Sequence, residues 1–160
     1  MLKYFLILLI IFIPKSFAAD FHAQYLDWAV FSKEQGNRKV CYTTAVPFKT
    51  SGNIQHRGAP YIIVTKTANK SPELSIANGY YYKENSEVEL SFGLKKFSMI
   101  TYKSKAWTYG VDDDLEIIKT MRISDDIVIT GVSKGNNISQ DHYSLVGFNN
   151  AYQELQERCK

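Results

Sequence analysis

LVGFNNAYQELQERC, residues 145–159, carries apolar side chains in steps of three and four along the chain. The side chains that follow this spacing are Leu145, Phe148, Tyr152, Leu155 and Cys159. Because three to four residues make one turn of an α-helix, these side chains share one side of it. The stretch therefore predicts an amphipathic C-terminal helix that packs its apolar side against the rest of the protein.

Before this helix, the sequence shows mostly the two-residue alternation of β-strands. Residues 25–32 and 38–45 flank a Glu-Gln-Gly-Asn turn, which predicts a β-hairpin. A long polar connection follows over 47–60, and residues 138–144 form a short polar segment. Further strands are predicted at residues 61–66, 73–77, 87–92, 96–102, 105–109 and 126–133.

An acidic triplet at residues 112–114 interrupts the strand pattern. Carboxylates suit the start of a helix, where N–H groups are exposed, and the further oxygen ligands of a calcium loop are missing. The apolar residues expected on one side of this helix are Val111, Leu115, Ile118 and Met121. The predicted fold is therefore mainly β, an antiparallel β-sandwich or barrel-like sheet with two amphipathic helices, one at the C-terminus.

Residues 1–18 have the pattern of a secretory signal peptide. Lys3 precedes an unbroken apolar run over residues 5–13, and Ser16-Phe17-Ala18 places small residues where a signal peptidase cuts. The alternative is an uncleaved membrane anchor, for which the run is short. We expect an exported protein with a single domain over residues 19–160 and no transmembrane span after removal of the signal.

The charge balance excludes some classes of partner. Cleavage after residue 18 removes Lys3 and Lys15 and leaves 17 basic against 16 acidic side chains, a net charge of about +1. Nucleic-acid binding and attachment through a polybasic segment need a larger positive charge. We therefore expect no nucleic-acid partner.

Cys41 and Cys159 are the two cysteines of the chain. In an oxidising compartment, two distant cysteines of a small exported domain most economically form one disulfide. Two unrelated buried thiols are the alternative. Because Cys159 lies on the apolar stripe, a disulfide would attach the C-terminal helix to the strand that carries Cys41.

The search for catalytic residues finds one segment with the necessary side chains, Asp141-His142-Tyr143-Ser144. Neighbours in an extended segment point to opposite sides, so these side chains do not converge as a triad. An ordinary surface turn or strand end is the simpler interpretation.

Other combinations are weaker. Glu84, Glu87 and Glu89 are spaced like the solvated side of a strand, although a carboxylate pair for glycoside chemistry is conceivable. The histidines, at 22, 56 and 142, lack metal-ligand spacing. No catalytic, cofactor-binding or metal-binding residue is therefore predicted.

Three consecutive tyrosines, Tyr80, Tyr81 and Tyr82, have two interpretations. Tyrosine suits protein interfaces, so the three side chains could form a contact patch. Packing of the three tyrosines across a sheet is the simpler interpretation. The sequence leaves both open.

Residues 139–148, SQDHYSLVGF, followed by Ala151 and Cys159, resemble the closing signature of the invasion-associated locus B family of bacterial exported proteins. That signature is T-x-D-x-Y-S-L-x-G-F, then a helix and a final cysteine. Further pieces in the family's order are Asp27-Trp28 with Val30, Val40-Cys41-Tyr42, Pro47, Arg57-Gly58, Asn78-Gly79-Tyr80, Ala106-Trp107, Met121-Arg122 and Gly131-Val132-Ser133. The departures are Ser139, where the family has Thr, and Ser124-Asp125, where it has a small residue or Gly.

The resemblance implies a periplasmic or envelope-associated protein linked to host-cell entry or stress survival. It supplies no catalytic residues. Within the signature, we expect Asp141 to cap the approach to the helix and Tyr143 and Phe148 to pack. Gly147 should weaken the start of the helix but permit close approach of a neighbouring strand.

Taken together, these features predict a non-enzymatic exported protein that contributes to host-cell invasion or envelope stress survival through binding. Its partner is expected to be a protein of unknown identity or a component of the host surface. The expected location is the periplasm or the outer membrane, with release from the cell as a further possibility. The alternative is a small periplasmic hydrolase or an inhibitor of one.

The signal-peptide prediction is tested by N-terminal sequencing of the exported protein. Ala19 is the expected first residue, because cleavage follows Ala18. Recovery of intact Met1 on protein in the envelope would instead establish the anchor.

Overall fold

The computed structural model describes residues 19–160, so the predicted signal peptide lies outside the described residues. The strands are β1 (Asp20–Tyr25), β2 (Trp28–Gln35), β3 (Arg38–Ala45), β4 (Lys49–Ser51), β5 (Tyr61–Thr67), β6 (Glu73–Ala77), β7 (Glu87–Phe92), β8 (Lys95–Tyr102), β9 (Lys105–Trp107), β10 (Asp126–Val132) and β11 (Ile138–Ser144). The helices are α1 (Val111–Met121) and α2 (Phe148–Arg158). Over this range, no helix is long and apolar enough to cross a membrane.

All eleven strands belong to one antiparallel sheet in the order β1-β2-β3-β5-β6-β9-β8-β7-β10-β11-β4. The sheet is open, with β1 and β4 as its edges. The predicted fold class, mainly β and antiparallel with two helices of which one is C-terminal, is confirmed.

The sheet curls so that its two ends approach each other. Trp28, at the start of β2, donates its indole N–H to the carbonyl of Ser144 at the end of β11, at 2.9 Å. Its side chain is fully buried. Alternate side chains of the strands, such as Ile62 and Val64 of β5, line the inner side of this curl and form one apolar core.

Helix α2 packs against β1, β2 and β3. Phe148 and Leu155 are fully buried, and the ring of Phe148 lies 4.6 Å from that of Trp28. The predicted apolar stripe is therefore right for these positions. Leu145 is also buried but lies before the helix, which begins at Phe148.

Gly147 explains where this helix begins. Its φ is +94°, a left-handed conformation that favours glycine, and a Cβ here would stand 2.3 Å from the carbonyl oxygen of Tyr25. The predicted close approach of a neighbouring strand is confirmed. Gly147 precedes the helix instead of lying within it, so the predicted weakening of the helix was wrong.

Helix α1 carries the acidic triplet in its first turn, as predicted. The predicted apolar side is partly wrong, because Val111 and Leu115 are exposed while Ile117 is buried. The reason is Asp114, which is buried and accepts a hydrogen bond at 2.8 Å from the backbone N–H of Leu74 in β6. This contact orients α1 so that Asp114 faces the sheet. Burial raises the pKa of the Asp114 carboxyl.

Two strands, β1 and β4, were not predicted from the sequence. The predicted strand at 25–32 corresponds to β2, which begins only at Trp28, because Leu26 adopts a left-handed φ of 56° in the turn that separates β2 from the unpredicted β1. The polar connection at 47–60 contains β4, a three-residue edge strand whose residues are all exposed. β4 lacks the apolar alternation from which strands are recognised. β1 has it, with Phe21, Ala23 and Tyr25 alternating with polar residues, and was missed.

Cys41 of β3 and Cys159, which follows α2, form a disulfide with a Cα–Cα distance of 6.0 Å. The bridge joins residues 118 positions apart and attaches α2 to the sheet. Both cysteines are buried.

Loss of this disulfide should lower the free energy of unfolding. For Cys159→Ser we expect a decrease of roughly 2–5 kcal/mol, because the unfolded chain regains the freedom that a long closed loop removes. Urea unfolding of the exported protein measures it. The double variant Cys41→Ser/Cys159→Ser is the control and should lose a similar amount, whereas two freely alkylated cysteines in the folded wild-type protein would contradict the bridge.

Candidate binding surface around Tyr81

Asp141-His142-Tyr143-Ser144, the segment with the side chains of a catalytic triad, forms the end of β11. Its side chains alternate as predicted, with Asp141 and Tyr143 turned into the core and His142 and Ser144 turned outward. The prediction of a surface position was wrong for Asp141 and Tyr143, which are completely buried. The predicted packing of Tyr143 is confirmed.

Asp141 does not cap the C-terminal helix, whose N-cap is Gly147 with no side-chain hydrogen bond. Its Oδ2 instead accepts hydrogen bonds from the Arg57 guanidinium and, at 2.6 Å, from the Asn78 side-chain amide. Arg57 Nε also donates to the Asn78 carbonyl at 2.7 Å. A buried carboxylate requires such partners, so the packing of β11 decided the role of Asp141.

Two of the three tyrosines extend this cluster. The Tyr82 hydroxyl donates to Asn78 Oδ1 and accepts from the Asn78 backbone N–H at 3.1 Å. The Tyr80 hydroxyl is 2.8 Å from Ser139 Oγ. Burial raises the pKa of both phenols, so they stay neutral. We call the set of Arg57, Asn78, Tyr80, Tyr82, Ser139 and Asp141 the Arg57–Asp141 network.

The network also holds the loop at residues 52–60 against the end of β6. The Gly58 N–H donates to the Gly79 carbonyl at 2.8 Å. Gly79 has φ of +79°, and a Cβ at this position would stand 2.1 Å from the Gly58 carbonyl oxygen. The two loops can approach this closely only because Gly79 lacks a side chain, whereas a Cβ on Gly58 would lie at an ordinary contact distance of 3.5 Å.

The middle tyrosine has a different environment. Tyr81 is 64% exposed, whereas Tyr82 is 5% exposed and Tyr80 is half-buried. Both interpretations of the three tyrosines are thus partly right, since two pack and one is presented to solvent. Because its neighbours on both sides are fixed, the ring of Tyr81 projects from a rigid base.

Three grooves meet at Tyr81, with volumes of about 460, 510 and 480 Å³. The first also borders Tyr102, the second borders Tyr61, and the third runs beside the loop at residues 53–55. Volumes of this size suit small ligands or the units of a chain. We call Tyr81 and these three grooves the Tyr81 surface.

Lysines dominate the charge of the Tyr81 surface. They are Lys83, Lys103, Lys105 and Lys134, and Glu84 is the carboxylate among the lining residues. None of these lysines takes part in the ion pairs found among residues 19–160. The ammonium groups of Lys103 and Lys105 lie 5.3 and 5.8 Å from tyrosine ring centroids. Positive charge and aromatic rings therefore alternate across this surface.

The remaining candidates do not converge. Glu87 accepts a hydrogen bond from Tyr109, and Glu89 pairs with Lys96 on the exposed side of the sheet. Glu84 lies in the turn before β7. The predicted solvated strand face is therefore right for Glu87 and Glu89 and wrong for Glu84, which lies outside the strand.

The histidines lie in separate parts of the fold, on β1, in the loop at 52–60 and on β11. His22 Nε2 is 2.7 Å from Ser32 Oγ, the one pairing of histidine and hydroxyl between their side chains in the described range. Burial, followed by Arg158 and Lys39, lowers the pKa of His22. Ser32 is only 4% exposed, which denies a substrate access to its hydroxyl.

Comparison with known proteins gives one informative match. The crystal structure of invasion associated protein B from Bartonella henselae aligns with a TM-score of 0.57, covering 88% of this chain and 97% of that one. The two proteins share a fold. Their identity is 15%, and neither a family model nor a curated protein matches the sequence. The family resemblance inferred from residues 139–148 is thus supported by the fold.

The three tyrosines stand out in the sequence, whereas the four lysines do not. The four lysines are spread over 52 positions from Lys83 to Lys134, and the near-neutral total charge hides their grouping. The available signal was local, because Lys83, Lys103, Lys105 and Lys134 each fall in or beside a turn between predicted strands. Only the sheet order shows that these turns are neighbours.

The Arg57–Asp141 pair should be essential to stability. For Arg57→Met we expect the free energy of unfolding to fall by about 3 kcal/mol, because the Asp141 carboxylate stays buried with one donor fewer. Urea unfolding at neutral pH measures the change. Lys95→Met, which breaks the exposed pair with Glu116, is the matched control and should cost less than about 1 kcal/mol. Equal costs would show that the buried pair has no special role.

Proposed function

We propose that this protein is an exported bacterial envelope protein that contributes to host-cell invasion or envelope stress survival by binding, without catalysis. The observation that carries the proposal is the fold, shared over most of both chains with a protein named for its association with invasion. The Tyr81 surface is proposed as the binding site, and its partner as a component of the host surface.

The construction of the surface supports binding. Interface energy concentrates in a few rigid aromatic or cationic side chains surrounded by weaker contacts. Tyr81 is exposed, while the residues of the network below it are buried or half-buried and are held by hydrogen bonds and by ring contacts of Tyr80 with Arg57 and Tyr82. A ring held in this way loses little conformational freedom when a partner covers it.

The alternative, a periplasmic hydrolase or enzyme inhibitor, finds less support. A nucleophile and its base must be reachable by a substrate. The His22–Ser32 pair is closed by burial of the serine, and His142 lies apart from it on β11. Binding is therefore the function that the described residues favour.

The disulfide supports export. Bridges such as Cys41–Cys159 persist in oxidising compartments and are rare in the reducing cytosol. The sequence of residues 1–18 points the same way. We accordingly propose the periplasm, the outer membrane or the outside of the cell as its location.

The experiment is a host-cell invasion assay with a deletion strain that expresses variants, accompanied by cell fractionation and surface protease treatment. Tyr81→Ala should reduce invasion about tenfold, as expected for loss of an interface anchor. His142→Ala is the matched control, since its side chain lies on the outer side of β11 away from the three grooves. It should retain near-normal invasion.

Two outcomes would overturn the proposal. One is full invasion by the deletion strain together with normal survival of envelope stress. The other is complete loss of activity in a stable, folded His142→Ala protein, which would favour the enzyme alternative. Circular dichroism and thermal unfolding of each variant establish that it is folded.

A further inference from the structure

We propose that the Tyr81 surface binds an anionic, sulfated polysaccharide chain of the host surface. This inference rests on the proposed function and specifies the chemistry of the partner. It follows from the charge, the rings and the shape of the three grooves.

Charge selects an anion. Lys83, Lys103 and Lys134 are exposed, and no ion pair of the described residues engages them. Elsewhere on the molecule, Lys95 and Lys96 are each paired with a glutamate at 2.9 Å. The lysines around Tyr81 therefore keep their charge available for a ligand. A negatively charged ligand would be attracted to this positive surface as the two approach.

The exposed tyrosine rings favour a ligand with flat, weakly polar faces. Tyr81 and Tyr102 are 64% and 65% exposed, and Tyr61 borders the neighbouring groove beside Lys105. Tyrosine combines a large apolar face with a polar tip, so it can cover a sugar ring and still bond to its hydroxyl groups. Alternating rings and ammonium groups match a chain in which sugar rings alternate with anionic groups.

The arrangement of the three grooves favours a chain over a compact ligand. The grooves share Tyr81 but extend from it in the direction of Tyr102, Tyr61 and the 53–55 loop. An extended ligand can occupy more than one of them and so gain from several weak subsites.

Two other polyanions fit less well. An acidic peptide would add most readily to a free sheet edge, and the edges are β1 and β4, whereas the grooves lie at turns of interior strands. An anionic membrane is typically bound by an amphipathic helix lying in its surface, and the residues that line the three grooves belong to loops, turns and strands. The sulfated chain is therefore the partner that the surface favours.

The test measures binding of a fluorescent heparin oligosaccharide of roughly ten sugars to the purified exported protein. Binding should weaken at least about tenfold from low to high salt, because exposed charges are screened. Tyr81→Ala should weaken it about tenfold, while Tyr81→Phe, which keeps the ring, should stay within about threefold of wild type. Lys103→Gln/Lys134→Gln should also weaken it about tenfold.

Lys70→Gln/Lys119→Gln is the matched control, since it removes the same charge from exposed lysines outside the three grooves. It should bind like wild type. An equal loss in this control would show that only net charge matters and would overturn the inference, as would unchanged binding by Tyr81→Ala.

Competing partners are tested with polyglutamate, phosphatidylglycerol vesicles and the phosphorylated core oligosaccharide of bacterial lipopolysaccharide. Each should bind at least about tenfold more weakly than heparin. Equal binding of any of them would replace the sulfated host chain by that partner. Removal of sulfated chains from host cells by heparinase should lower invasion by the wild-type strain. Invasion that depends on Tyr81 but survives heparinase would refute this inference and leave the proposed function standing.

Discussion

The buried ion pair between Arg57 and Asp141 is the contact on which the arrangement of this molecule depends. The Asp141 side chain is wholly inaccessible, so its charge must be compensated from within the protein. Arg57 supplies that compensation from a loop far away in the sequence. A strand near the C-terminal end thereby fixes a connection between strands β4 and β5, and Asn78 joins the end of β6 to both.

The buried network also determines how Tyr81 is exposed on the surface. Tyr80 and Tyr82 are turned inward by their hydrogen bonds, so backbone alternation turns Tyr81 outward. The ring is presented on a segment that cannot easily rearrange. Lysines from the adjoining turns gather round it because the order of the strands, and not their sequence, makes those turns neighbours.

The sequence predicted what depends on local periodicity. The strand over residues 87–92 and the C-terminal helix follow from spacing, while the hairpin also needed its turn residues and α1 its acidic triplet. Prediction failed where a long-range contact overrides the local pattern. Asp114 faces the sheet through its bond to the Leu74 N–H, and Asp141 lies on the buried side of β11, where Arg57 compensates its charge. The lysine grouping was hidden for the same reason, since it exists only in the folded sheet.

The residues that carried the family resemblance and the residues of the Tyr81 surface have different roles. Arg57, Asn78, Tyr80 and Asp141 all belong to resembling pieces, and all of them hold the interior together. Tyr81 and the four lysines lie outside those pieces. A fold recognised through its buried network can therefore present a different surface in each protein that has it. At 15% identity the shared scaffold and the individual surface are separable, which is why the ligand must be argued from this chain's own exposed side chains.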